Sequence, residues 1–324
     1  MSYIDSQAHR IWLCCDHGIC DFEGCWITTL PFHDETVVTG VVTPNRVAVV
    51  VNHHIVWERC SNDWYQLAIS ELKINSLLYT REGRLLVAME QGRLAEVQDN
   101  VIIPNEHFDA IPTRIAWTTP WGGVSNVHSL AEASNGVIYG AVHTGWMVRS
   151  HDGGTSWKQI ANGLHMDVST FVCHPHEPET LIVSTGDGVF VSENGGEQFE
   201  RRWHNMPMNY LRGIAAFNER DVWLVSAHPN AKRDAETTLY RSEDRGATWK
   251  PCKGIPQNSV GHINTILLLD SGCAIALAHS HTFVTMDYGE NWTLREQVLP
   301  SRYFDPKRSF LCPILHSFAL ANDV

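Results

Sequence analysis

The sequence predicts an all-β fold in which a four-stranded unit repeats about seven times. Three observations predict it. Four segments share one eight-residue pattern, and their first residues are 42, 50 and 43 positions apart. Short apolar and β-branched runs, separated by Gly, Asn and Asp turns, recur around each copy. Hydrophobic residues make up 44% of the 324 and charged residues only 19%, enough apolar material for a sizeable core and too much for disorder.

The repeated pattern is Ser/Thr-x-Asp/Asn-x-Gly-x-x-Trp/Phe. It occurs as Ser150 to Trp157, Ser192 to Phe199, Ser242 to Trp249 and Thr285 to Trp292. Its polar residues, Asp152, Asn194, Asp244 and Asp287, can accept backbone N–H bonds inside a tight turn. The glycine supplies a backbone position with positive φ. This is the Asp-box, and the chain resembles the BNR/Asp-box β-propeller family, which includes photosystem stability/assembly factor-like and sialidase-like propellers. The resemblance implies a seven-bladed β-propeller in which the box is a structural turn and its aromatic residue packs between neighbouring blades.

Each element follows in order. In the first boxed unit, 126–166, Asn126 to Ala133 reads as strand A, Gly136 to Val142 as B, Trp146 to Ser150 as C and Trp157 to Ile160 as D. The later units are 167–208, 209–257 and 258–301. Weaker copies without boxes precede them. Unit 34–70 has Arg46 to Val51 as B and Ile55 to Trp57 as C. Unit 71–113 has Arg84 to Ala88 as B and Gly92 to Ala95 as C. The first unit, about 8–33, offers B (Arg10 to Cys14), C (Ile19 to Phe22) and D (Cys25 to Thr29) but no A. The leftover run Phe310 to Leu315, within 308–320, supplies that strand, so the chain ends tie one blade together and remove sheet edges. The whole of 1–324 then forms a single domain.

Composition narrows the function. Twenty-four Lys and Arg against 36 Asp and Glu give a formal charge of −12, which argues against a nucleic-acid-binding face. No stretch is long and apolar enough for a transmembrane helix, and Met1 to Asp16 lacks the apolar core of a signal peptide. Nine cysteines, an odd number, then suggest reduced thiols in the cytoplasm. Cys14, Cys15, Cys20 and Cys25 lie close together without the C-x-x-C spacing of a zinc ribbon, and read as buried thiols. No nucleotide-cofactor motif is present.

Histidine is the unusual count, 18 residues. In a propeller the B–C and D–A connections share one face, which usually carries the ligand site. His17, His53, His54, His143, His228, His279 and His281 fall in or beside B–C turns. His33, His107, His165, His204 and His262 fall in D–A connections, and His128 lies near the start of an A strand. Thirteen of the 18 are thus assigned to one face. Either these are repeated polar turn residues, or several converge as metal ligands or proton carriers. For a metal the candidates are His17, His53, His143, His228, His262 and His279, an imidazole set suited to Zn, Cu, Fe or Ni. For acid–base catalysis they are His128, Tyr210 and Arg212. Substrate-binding candidates are Asn126, Asp167 and Asn209, at the starts of A strands, with Tyr303 and the tryptophans Trp117 and Trp121 of the long 105–125 connection. That connection reads as a lid or as a packed loop.

Three functions follow from these residues and the resemblance. The first is an enzyme acting on a small organic molecule in a His-rich, metal-binding or acid–base pocket on the B–C/D–A face. The alternative is a non-catalytic protein-binding or assembly-factor propeller. A sialidase-like glycoside hydrolase fits less well, because the family's Arg-Ile-Pro segment is missing and Arg114-Ile-Ala116 has the wrong third residue.

Overall fold

The computed structural model describes residues 11–21, 25–60, 63–119, 122–230, 236–256, 262–269, 272–278, 281–295 and the backbone of 312–315. Packing divides the chain into two compact units, 1–105 with 298–324, and 106–297.

The first unit holds three antiparallel sheets. β1 (Ile11–Cys15) pairs on one side with β2 (Gly18–Asp21) and on the other with β27 (Cys312–Leu315), with Trp12 opposite Ile314. N- and C-terminal segments therefore share one sheet, as expected. The expected D strand at Cys25–Thr29 does not form. Cys20 makes one isolated bridge to Trp26, and the chain then turns at Thr28–Leu30, ahead of Pro31, to bury Leu30 and Phe32. Two ladder bonds flank that bridge, Asp21 N–H to Cys25 O and Ile27 N–H to Ile19 O, both at 3.0 Å, and the turn ends the pairing there. Arg10, Phe22 and Phe310 lie outside the described residues. The second sheet is β3 (Val37–Val42), β4 (Arg46–Val51), β5 (Ile55–Cys60) and β6 (Asp63–Ile69). The third is β7 (Ile74–Tyr79), β8 (Leu85–Met89), β9 (Arg93–Gln98) and β10 (Val101–Pro104).

The second unit holds four sheets, each in the order A-B-C-D. They are β11 (Asn126–Glu132), β12 (Ile138–His143), β13 (Met147–Ser150) and β14 (Lys158–Ile160); β15 (Val168–Cys173), β16 (Leu181–Thr185), β17 (Gly188–Ser192) and β18 (Glu200–Arg201); β19 (Tyr210–Ala216), β20 (Trp223–His228), β21 (Thr238–Ser242) and β22 (Lys250–Pro251); and β23 (Ile263–Leu268), β24 (Ala274–Ala278), β25 (Thr282–Thr285) and β26 (Thr293–Arg295). Burial explains the patterning. B strands such as Leu-Leu-Val-Ala-Met and Ala-Ile-Ala-Leu-Ala are buried along their whole length, so they are continuous apolar runs. D strands are two to seven residues long and largely exposed, which keeps sheet edges short. The seven sheets among the described residues fit seven blades of an all-β propeller.

The boxes are structural in geometry. In each, the first Ser or Thr hydroxyl donates to the Asp or Asn oxygen at 2.8–2.9 Å, and that oxygen accepts the N–H four residues beyond it at 2.8–3.0 Å. The box glycine has φ of +81° to +91°. Phe199, Trp249 and Trp292 are buried to 2% exposure or less, each against side chains of its own sheet and of the preceding one. An arginine completes each of three such interfaces. Arg149 donates to Gly195 O at 2.6 Å, Arg202 to Arg245 O at 3.3 Å and Arg241 to Tyr288 O at 2.7 Å. All three acceptors are the fourth residue of a box.

Every four-stranded sheet also carries an irregularity in its A–B ladder, near the start of strand A. Such bulges re-aim a side chain away from strict alternation. His128 lies between Val127 and Ser129, and Arg212 between Leu211 and Ile214. Alternation alone does not predict this.

Candidate functional site

The polar cluster of the second unit grows from these bulges. Neighbouring A strands β11, β15, β19 and β23 pack side by side. Serines on the B strands brace them. Ser184 Oγ donates to Arg212 O at 2.8 Å, and Ser226 Oγ donates to Ile263 O at 2.6 Å while accepting from Gly213 N. These serines were absent from the sequence-based candidates; their only signal is recurrence late in strand B of two successive units.

His143 ends β12 and faces the start of the next unit. Its Nδ1 lies 3.0 Å from Asp167 Oδ1. Gly186 makes room for this carboxylate, since a Cβ there would stand 2.5 Å from Asp167 Oδ2. Burial opposes the Asp167 charge, but the His143 hydrogen bond and the His143 and Arg212 charges outweigh it, and its pKa falls below the usual value. The His128 ring lies 6.2 Å from that of His143, and its Nε2 is 2.8 Å from Ser169 O. That contact makes Nε2–H the donor. Crowding by protein pulls the His128 pKa down to about 4, with the His143 and Arg212 charges acting in the same direction.

Arg212 and Tyr210 share β19. Arg212 Nη2 donates to Tyr210 Oη at 2.9 Å, with the guanidinium 5.0 Å from the ring centroid. Burial raises the Tyr210 phenol pKa. His228 ends β20, fully buried, with Nδ1 2.9 Å from Thr237 Oγ1. Its ring is 4.1 Å from that of His262, which is 2% exposed. Burial, then His262 and Arg212, lower the His228 pKa to about 3. The Arg212 charge thus acts on His128, Asp167 and His228 together.

The other candidates sit apart from this group or support it. Asn126 opens β11 opposite His143. Asn209 Nδ2 donates to Asp187 Oδ1 at 3.2 Å, beside the Arg201–Asp187 ion pair at 2.6 Å. Of the two uses weighed for Trp117, its geometry is that of loop packing. It is 2% exposed, stacks edgewise on Phe108 and donates Nε1–H to Gln159 Oε1 at 2.9 Å. The loop also carries a short helix, α1 (Glu106–Asp109), and a 3-10 turn, Pro112–Ala116. Arg114 is spent holding Asp109 at 3.4 Å. In the first unit His17 occupies the β1–β2 turn and His53 the β4–β5 turn, where burial and Lys73 lower the His53 pKa. Trp121, His279 and Tyr303 lie outside the described residues. Among the described residues no group of three or more His, Cys, Asp or Glu side chains is arranged to hold a metal ion. Eight described cysteines are free thiols. No helix among the described residues is long and apolar enough to cross a membrane.

Comparison with known proteins agrees with the fold. A family model described as Sortilin-Vps10 (sortilin, neurotensin receptor 3) matches residues 145–254. No curated protein matches the chain. Similar solved structures include an ancestral GH74 enzyme, 15% identical at TM-score 0.61, covering 80% of this chain but 38% of its own. The chain therefore spans well under half of that enzyme. The WD40 β-propeller domain of Doa1 is 13% identical at TM-score 0.60, covering 83% of this chain and 84% of its own. YCF48 bound to D1 peptide is 13% identical at TM-score 0.53, covering 86% and 88%. With the four Asp-box turns, these matches support a BNR-like β-propeller.

Proposed function

We propose that the polar cluster of the second unit performs histidine acid–base chemistry on a small organic molecule. The carrying observation is the 3.0 Å contact between His143 and Asp167. An imidazole whose Nδ1–H is held by a carboxylate presents Nε2 as a base, and the carboxylate stabilises the imidazolium once a proton is taken. Tyr210 keeps its proton at neutral pH and supplies a donor. The test is a thermal-shift and ligand-observed NMR screen of polar small molecules, with turnover followed by mass spectrometry. Hits should be converted by the parent protein and not by His143→Gln or Asp167→Asn. Equal turnover by both variants would remove the dyad from the mechanism.

A transition metal among the imidazoles is a version of the same reading. The donor types suit Zn, Cu, Fe or Ni, and elemental analysis of untagged protein tests it. Free thiols support a cytoplasmic setting. The second reading is a non-catalytic, protein-binding propeller, favoured by the similarity to YCF48 bound to D1 peptide. Co-purification of a stoichiometric partner, with no small-molecule hit, would support it.

A further inference from the structure

We propose that the ligand of this cluster is a small organic acid, with its carboxylate held by Arg212 and Tyr210. The inference rests on reading the cluster as a small-molecule site, and it adds the chemical class.

Arg212 is the first observation. Six other arginines of this unit, Arg114, Arg149, Arg201, Arg202, Arg241 and Arg245, each have a carboxylate partner. Arg212 is half-buried and has none within ion-pair distance among the described residues. Among the described residues its guanidinium donates to a neutral phenol, and its Nε, like those of Arg149, Arg201 and Arg245, is buried without a partner. A desolvated cation is costly unless an anion and hydrogen-bond acceptors compensate it. Asp167, whose carboxylate feels the Arg212 charge, is turned to His143. Its neighbours His128 and His228 have depressed pKa values, so at neutral pH they leave the Arg212 charge in place.

His228 is the second observation. It is fully buried, and its Nε2 has no hydrogen-bond partner. Buried polar atoms of that kind ask for an explanation. A hydroxyl or carbonyl on the same acid would give this nitrogen its partner. A guanidinium binds a carboxylate through two parallel N–H bonds, and the unused Nε–H of Arg212 is one such donor. Size follows from burial. A ligand that reaches nitrogens beside His228 and His262, at 0% and 2% exposure, suits a small acid better than an acidic peptide.

The test is calorimetric titration of the whole protein with short hydroxy- and keto-acids, their neutral amides, and an acidic peptide. Acids should bind, amides at least about tenfold more weakly. Arg212→Gln should lose at least about tenfold, Tyr210→Phe several-fold, and the exposed Arg220→Gln nothing. If amides bind the parent as tightly as acids, the carboxylate assignment falls and the small-molecule reading stands. If only the peptide binds, or nothing does, both fall. The amide comparison needs no variant, so misfolding of Arg212→Gln leaves the proposal open to refutation.

Discussion

Lowering the pH from 7 to 5 should destabilise the protein through two particular histidines. His128 and His228 have pKa values of about 4 and about 3 in the fold, against about 6.5 in an unfolded chain. Both folded values are depressed, so between about pH 6.5 and pH 4 the unfolded chain binds more protons. Stability therefore falls as the pH falls through that window and is regained above it. From pH 7 to 5 each group costs about 2 kcal/mol, and the pair about 4 kcal/mol. That is a large share of a typical stability of 5–15 kcal/mol. Urea unfolding followed by tryptophan fluorescence at the two pH values measures the difference. His128→Gln and His228→Gln should each shrink the loss by about 2 kcal/mol, whatever they do to stability at pH 7. If either variant loses as much as the parent between pH 7 and 5, its imidazole is not held neutral by burial and the reasoning fails.

Further expectations concern the boxes and the site. Asp244→Ala removes the acceptor of the Ser242 and Thr248 bonds and should cost about 1–2 kcal/mol of unfolding free energy. Gly254→Ala should cost more than about 2 kcal/mol, or prevent folding, because a Cβ there would lie 1.9 Å from Trp292 O at φ +86°. Trp249→Ala, at 1% exposure, should cost about 3–5 kcal/mol, read as a drop in denaturation midpoint. Gly186→Ala should displace the Asp167 carboxylate from His143. It should shift the His143 NMR resonances while thermal stability changes far less than in Gly254→Ala.

The repeat was legible because its cause is local. Box residues bond within eight positions, so the spacing of Asp152, Asn194, Asp244 and Asp287 is visible without any tertiary contact. The pairing of β1 with β27 was legible for a different reason: an A strand without a B and a B without an A can only complement each other. The failed strand at Cys25–Thr29 shows the limit, since its apolar residues read as strand while the turn ahead of Pro31 decides otherwise. At the site, His143, Asp167, Tyr210 and Arg212 could be named because strand ends are countable. Which of them touch could not, because the bulges beside His128 and Arg212 are set by packing between sheets and leave no mark in the alternation. The roles of Ser184 and Gly186 were hidden likewise, since each acts on a neighbour about 20 to 30 positions away.

The arginine contacts to the box turns carry a consequence for how such a chain can change. Each guanidinium grips a main-chain oxygen, which every residue type possesses. The donor comes from strand C in Arg149 and Arg241 and from beyond strand D in Arg202. The receiving residue is Gly195, Arg245 or Tyr288, and each accepts through the same main-chain oxygen. The receiving end is therefore tied to a place in the box and not to a residue type. Mutational drift can exchange the receiving residue while the joint persists, so copies within this chain can keep a shared scaffold after their sequences have parted.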